Sequence, residues 1–408
     1  MKNLLFTSIA FPPKSDPECL QTAKYYYHLQ KYSELQIEVL TSAIPTLYMP
    51  VDEHLRRYDR GYSNKVELRI PENRYLNYIQ RSIFDGSMGW PDSKNSFHKQ
   101  WKNAIQRIQK KPDAIYSRSF PLSSSVMALR LQQYYNVPWI MHLSDPWADC
   151  PVEKYATKQY QSHRALEKSC LEKASYICLT SELTIELYRK SYPEHSTKFL
   201  YFPNVYDDQD LQPNPHQFGS KIRVVYTGGL VGSRNISYLL NALELLRLRN
   251  PVLLDQFEFI FAGAMDRQSA RLFQQLSFSN IQHLGLLSYD QAQALQRSSD
   301  ILLVIDNPVD DPKSAVFFPS KILDYLMAQR RILAISPLGG TSHSVLKSIN
   351  GKTFAHHDTN GLVKELETIS SAFFKKDKDY FDFKELPEIY SASYNANRLK
   401  DLIMDLID

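Results

Sequence analysis

The sequence predicts an α/β protein built on two parallel sheets, and three observations carry that expectation. Short apolar runs alternate with longer amphipathic stretches along the whole chain. The alternation falls into two series, split by the polar, turn-rich segment YDDQDLQPNPHQFGS at 206–220. At roughly 150 residues per domain, a chain of 408 residues has room for two or three domains.

In the first series, NLLFTSIAF is apolar and bounded by Pro12-Pro13, as a buried strand is. Pro17 opens a helix through CLQTAKYYYHLQKY, and QIEVLTS is the next strand. Residues 45–100 carry scattered charge, Tyr and Arg and read as an insertion or long loops. KNAIQRIQKK is helical, PDAIYSRS a short strand, and SSSVMALRLQQYY a helix with a Ser-rich start. VPWIMHLSDPW is a buried strand ending in a polar loop. ALEKSCLEKA (helix), ASYICLTS (strand), SELTIELYRKSY (helix capped at Ser181) and KFLYFPNV (strand) complete the series.

The second series begins with IRVVYTGG, a strand ending in glycines, and the amphipathic helix ISYLLNALELLRLR. FEFIFAGA, IQHLGLL, DILLVID and RILAIS are strands, separated by the helices QSARLFQQLS, SYDQAQALQRSS and SKILDYLMAQ; GGTSHSVLKSI follows as a helix. The expected domains are 1–207, 208–388 and a C-terminal helix at 389–408, which is free to dock on either domain. Parallel sheets bind ligands at the carboxyl ends of their strands, so the expected site is a cleft between the two domains.

Composition excludes several function classes. Hydrophobic residues at 43% and charged residues at 23% describe a globular chain, not a disordered one. A net charge of +4, from 48 basic and 44 acidic side chains, argues against nucleic acid as a partner. The excess lies in the first half: 27 Lys and Arg stand against 23 Asp and Glu through residue 210, and 21 against 21 beyond. Cys19, Cys150, Cys170 and Cys178 show no CxxC spacing, so a reducing, cytoplasmic compartment is expected. The apolar start is too short for a signal peptide. No run approaches the ~18 apolar residues of a membrane span. Aromatic residues beside basic ones, as in AKYYYHLQKY, suit the edge of a core, or a surface meeting lipid headgroups or glycans.

Three segments carry chemistry. In AVFFPSKILDYLMAQRRILAIS, residues 315–336, Ser320 opens a helix and Lys321 and Asp324 share its first turn. Free N–H groups there favour a phosphate, Lys321 adds charge and Asp324 suits ribose hydroxyls. The plainer alternative is capping with an i,i+3 ion pair. In VVYTGGLVGSRNISYLL, residues 224–240, Gly228 and Gly229 let a phosphate approach the backbone, and Arg234 can clamp a diphosphate. An ordinary turn with a surface Arg reads equally well. In WIMHLSDPWADC, residues 139–150, His142 and Asp145 end a buried strand, where either can meet a sugar or handle a proton. A structural turn capped by Asp145 is the alternative. Asn204 in FPNV reads as a hinge residue bonded to backbone, and Asp207-Asp208-Gln209-Asp210 as a solvated turn that imitates a metal-binding DxD motif. No metal site or cofactor is expected.

The order of these phrases resembles the GT-B glycosyltransferases, specifically the retaining glycosyltransferase family 4. The phrases are FPPKSD, FPNV, YTGGLVGSR, FIFAGA, HLGLLSYDQAQALQRSSDILLV and PSKILDYLMAQRRILAIS, and they span most of the chain. The resemblance implies a GT-B architecture of two Rossmann-like domains. It implies Asp324 on the donor ribose, Arg234 with Lys321, Gly228 and Gly229 on the diphosphate, and backbone N–H groups at Phe318 and Ser320 on the donor sugar. It puts the catalytic or sugar contact of the first domain on His142 or Asp145. Three departures stand out. Val316 replaces the first carboxylate of the family pair, Gly229 replaces a second Arg, and Ser15-Asp16-Pro17 replaces a Gly-Gly loop. The expected activity is metal-independent, retaining transfer from a nucleotide-sugar to a glycan or lipid-linked acceptor in surface polysaccharide synthesis, with peripheral contact at the inner face of a membrane. A degenerate nucleotide-sugar binder and another GT-B enzyme, such as an epimerase, are the alternatives.

Overall fold

The computed structural model describes residues 1–44, 49–59, 64–71, 90–153, 155–349, 351–382 and 386–408. The chain divides into two compact units. One comprises Met1–Asp207 with Ile389–Asp408, the other Asp208–Glu388.

The first unit holds a seven-stranded sheet in the order β3-β2-β1-β4-β5-β6-β7. Its strands are β1 Lys2–Thr7, β2 Leu35–Ser42, β3 Lys65–Leu68, β4 Ala114–Ser119, β5 Trp139–Leu143, β6 Tyr176–Leu179 and β7 Phe199–Tyr201. Every pairing is parallel. Alternate side chains serve opposite faces, as the two-residue period of a strand requires. Leu5, Ile115 and Met141 pack with Val126, Leu129 and Cys170 on one face. Leu4, Phe6 and Ile140 pack with Tyr25, Tyr26 and Leu29 on the other. The C-terminal helix, Ala392–Ile407, joins this second face through Ala392, Ala396, Leu399 and Ile403, all fully buried. Arg398 reinforces the seam by donating to the Tyr201 carbonyl at 3.1 Å.

The second unit repeats the pattern with six strands in the order β10-β9-β8-β11-β12-β13. They are β8 Ile222–Thr227, β9 Phe257–Ala262, β10 Ile281–His283, β11 Ile301–Ile305, β12 Arg331–Ile335 and β13 Lys352–Phe354, again all parallel. Helices Ser237–Arg249 and Thr359–Phe374 cover one face with Leu239, Leu243, Leu246, Leu362 and Leu366. In both sheets the chain runs outward one way and then restarts on the other side of the first strand. That reversal creates a switch point at β1/β4 and at β8/β11, where open α/β sheets hold their ligands.

Three readings of the sequence need correction. Of the stretch 45–100, expected to be an irregular insertion or long loops, 45–48, 60–63 and 72–89 lie outside the described residues; the described part contributes strand β3, which hydrogen bonds to β2 over four residues despite its charged KVEL sequence. Asp207 is not part of a solvated turn; it is buried and lies 3.1 Å from His28 Nε2, itself buried. Asn204 bonds a side chain, not backbone: its Oδ1 accepts from Arg118 at 2.9 Å.

Candidate functional site

In the second unit, the site elements are the turn after β8 and the helix Lys321–Ala328. Gly228 has φ +136 and Gly263, at the end of β9, has φ +138. A Cβ on Gly263 would lie 2.1 Å from the Gly228 carbonyl oxygen, so the two turns interlock with no room for a side chain. A Cβ on Gly228 would lie 2.8 Å from Lys321 Nζ. The glycine therefore gives the lysine its space. Gly229 is fixed next to it, its carbonyl accepting from the Tyr226 hydroxyl at 2.8 Å.

The helix is pinned by Tyr325, whose hydroxyl accepts from Thr227 N at 3.0 Å and donates to the Leu303 carbonyl at 3.1 Å. Lys321 and Tyr325 are four apart and share a face, so fixing one aims the other. Lys321 Nζ donates to the Tyr226 hydroxyl at 2.8 Å and lies 4.1 Å from the centre of that ring. Burial, with the nearby Arg234 charge adding to it, lowers the Lys321 ammonium to about 7; Asp306 pulls the other way. Arg234 is half-buried, and its Nε is enclosed with no hydrogen-bond partner. Among the described residues, no carboxylate forms an ion pair with Arg234 or with Lys321. Two cations at the carboxyl edge of a sheet, close enough to repel and with no carboxylate in ion-pair contact among the described residues, favour an anion there.

Around this pair, Ser320 sits at the helix N-cap without a side-chain capping bond, and Asp324 lies half-buried in the first turn. Phe318 is buried in the preceding loop. Val316, where the family pattern has a carboxylate, is 1% exposed, and its carbonyl accepts from Thr341 Oγ1 at 2.9 Å. Here the position serves the core. The expected Lys321–Asp324 pair gives way to the Lys321–Tyr226 contact.

In the first unit the corresponding edge is built around Arg118, a residue the sequence reading passed over as strand. It is fully buried at the end of β4. Its Nε donates to Glu18 at 2.8 Å, and Nη2 donates to Asn204 Oδ1 at 2.9 Å and to Ser144 Oγ at 3.2 Å. Ser144 Oγ also donates to Glu18. Burial pushes the Glu18 carboxyl upward while Arg118 and Ser144 oppose it. An Arg inside the otherwise uncharged strand AIYSRS was the available signal. Its partner, 100 positions away at Glu18, carried none.

His142 and Asp145 separate clearly. His142 has no exposed surface. Its Nε2 lies 3.1 Å from the Phe202 carbonyl, which only accepts, so the proton is on Nε2 and Nδ1 accepts from the Tyr116 hydroxyl at 2.7 Å. Burial and Arg118 hold the ring well below its ordinary pKa, hence neutral. The expectation of His142 as a sugar or proton contact is corrected: both nitrogens are spent inside the protein, and the ring supports Arg118 and Tyr116. Asp145 is half-buried, has no hydrogen-bond partner among the described residues, and burial raises it to about 6. It does not cap a turn. The loop behind it is clamped, with Trp147 N donating to the Tyr188 hydroxyl at 3.1 Å and Ala148 N to Glu167 at 3.1 Å. Ser181 is the helix N-cap it was expected to be, accepting from Thr184 N at 3.0 Å.

No protein-family model and no curated protein sequence matches the chain. Solved structures do. A glycosyltransferase from Rickettsia africae matches with a TM-score of 0.64 at 11% identity, over 100% of this chain and 99% of that one. Anabaena HepE in complex with UDP and glucose matches with a TM-score of 0.61 at 13% identity, over 100% of both chains. The chain has the GT-B fold. A UDP-N-acetylglucosamine 2-epimerase described as such for Listeria monocytogenes matches with a TM-score of 0.60 at 11% identity, over 99% of this chain and 96% of that one. Fold is what identities this low establish; chemistry has to come from the residues.

Proposed function

We propose that the protein is a retaining, metal-independent glycosyltransferase that moves a sugar from a nucleoside-diphosphate sugar to a glycan or lipid-linked acceptor in surface polysaccharide synthesis. The observation that carries this reading is the Arg234–Lys321 pair over the Gly228–Gly229 turn, with no carboxylate in ion-pair contact among the described residues. As the donor bond breaks, negative charge grows on the diphosphate. Cations already fixed at that spot stabilise the charge without reorganising. Asp324 is assigned to the ribose hydroxyls, and the backbone N–H groups of Phe318 and Ser320 to the transferred sugar. In the first unit, Asp145 is assigned to the acceptor hydroxyl, since a carboxyl near pH 6 with free oxygens is suited to holding a proton in transit.

The test is titration with nucleoside-diphosphate sugars, UDP-glucose first, followed by assay of nucleoside diphosphate release with acceptor extracts. Arg234→Ala and Asp324→Ala are expected to lose donor binding and turnover while staying folded. Near-normal rates in both would overturn the assignment.

The epimerase neighbour, together with two carboxyls of raised pKa on one sheet edge, Glu18 and Asp145, supports a second reading as a nucleotide-sugar epimerase. Conversion of the donor sugar with no acceptor present would select it. Tight donor binding with neither reaction would select a binding protein. We further propose peripheral contact at a cytoplasmic membrane face, which co-sedimentation with anionic liposomes tests; among the described residues no helix is long and apolar enough to span a bilayer.

A further inference from the structure

The second unit has a cavity of about 560 Å³ at the amino edge of its sheet, where β8 and β11 begin. β8 is six residues long, so this edge lies about 20 Å from the Gly228 turn at the strand's other end. It is a separate place with its own charge.

Four cations line it, Lys221, Arg223, Arg297 and Arg330, against two carboxylates, Glu258 and Asp300. Both carboxylates are already engaged. Asp300 accepts from His216 Nε2 at 2.7 Å and from Arg223 N at 2.6 Å. Glu258 accepts from Arg223 Nε at 3.3 Å and from Gln282 at 3.1 Å. Arg330 is 4% exposed and spends its donors on neutral carbonyls, at Ser299 (2.7 Å), Arg297 (2.8 Å) and Asn214. Carbonyl oxygens orient the guanidinium without cancelling its charge, and Asp300 opposes that charge only in part against four cations on the wall. Lys221 and Arg297 have no ion-pair partner among the described residues. The wall is therefore net positive, with one fixed cation and two adjustable ones. Gln217 and Ser220 add an amide and a hydroxyl that no other described residue uses, and the half-buried Phe218 ring supplies an apolar wall.

We propose that this cavity is a second ligand site, for a small phosphorylated polyol of the sugar-phosphate class. The cations take the phosphate, Gln217 and Ser220 the hydroxyls, and Phe218 the C–H face of the sugar. The volume lies within the range of roughly 300–1,000 Å³ usual for small-molecule sites. The inference does not depend on the donor reading, because none of its residues belongs to the Arg234–Lys321 site.

The test is calorimetric titration of the full chain with glucose 6-phosphate, inorganic phosphate and glucose. Glucose 6-phosphate is expected to bind saturably, one per chain. Phosphate should bind more weakly, and glucose should give no measurable heat. The double substitution Lys221→Ala/Arg297→Ala, at one exposed and one half-buried side chain without ion-pair partners among the described residues, is expected to weaken glucose 6-phosphate by about tenfold or more. Arg234→Ala is expected to leave that affinity unchanged. No saturable heat from glucose 6-phosphate, or loss through Arg234→Ala and not through the double substitution, would overturn the site. Equal affinity for phosphate and glucose 6-phosphate would overturn the polyol part.

Discussion

The two sheets share one strand order, yet their carboxyl edges treat charge in opposite ways. In the first unit Arg118 is fully buried and closed on itself by Glu18, Asn204 and Ser144. In the second, Arg234 and Lys321 repel each other, Asp306 offsets this only in part, and among the described residues no carboxylate is in ion-pair contact with either. A buried cation closed by a carboxylate, an amide oxygen and a hydroxyl is part of the architecture. A cation that burial and a neighbouring cation both disfavour is held there at a cost that an anionic ligand offsets. The contrast separates residues that build an edge from residues that use it.

Breaking the closed cluster should have the largest effect. Arg118→Leu leaves Glu18 buried without its partner and is expected to destabilise the fold by about 3–5 kcal/mol, read by denaturant unfolding. Arg234→Ala should do the reverse. Its stability should stay within about 0.5 kcal/mol, while donor affinity, read by calorimetry, falls by about two orders of magnitude through loss of a charged contact worth about 2–3 kcal/mol. Equal stability losses in the two variants would erase the distinction. Gly263→Ala places a methyl group against the Gly228 carbonyl in a backbone conformation that L-residues avoid, and should cost about 1–3 kcal/mol by thermal unfolding.

A pH series sharpens the comparison further. Burial and Arg234 lower the Lys321 ammonium to about 7, and on the proposed function a bound diphosphate would hold its proton on. Donor affinity should therefore fall as pH rises above 7, by about tenfold per unit until the bound form titrates too. The smallest effect belongs to Asp145. Its folded-state pKa is raised, so the stability it contributes is present below about pH 4 and lost as pH climbs through 6. Asp145→Asn should flatten that part of the stability curve while lowering turnover.

Sequence patterning carried most of the fold, because buried parallel strands are short apolar runs and their crossovers are amphipathic. It missed β3 and β13, edge strands of four and three residues whose pairing comes from a neighbour and not from their own composition. The Arg234–Lys321 pair was visible as a candidate because glycine turns and helix starts are local signals. The Arg118–Glu18 pair was not, since it joins residues 100 positions apart whose types are common on any surface. His142 and Asp145 could not be ranked without knowing which of them folding leaves exposed.

The return of helix Ala392–Ile407 to the first unit bears on how the protein is made. Tyr25, Tyr26 and Leu29 belong to the same apolar cluster as Ala396, Leu399 and Ile403. A ribosome synthesises all of Asp208–Glu388 before it supplies the residues that finish that face. Domains usually mature in the order of their synthesis. Here the unit begun first is completed last, and its apolar face is covered only once the helix Ala392–Ile407 has been made and has left the ribosome.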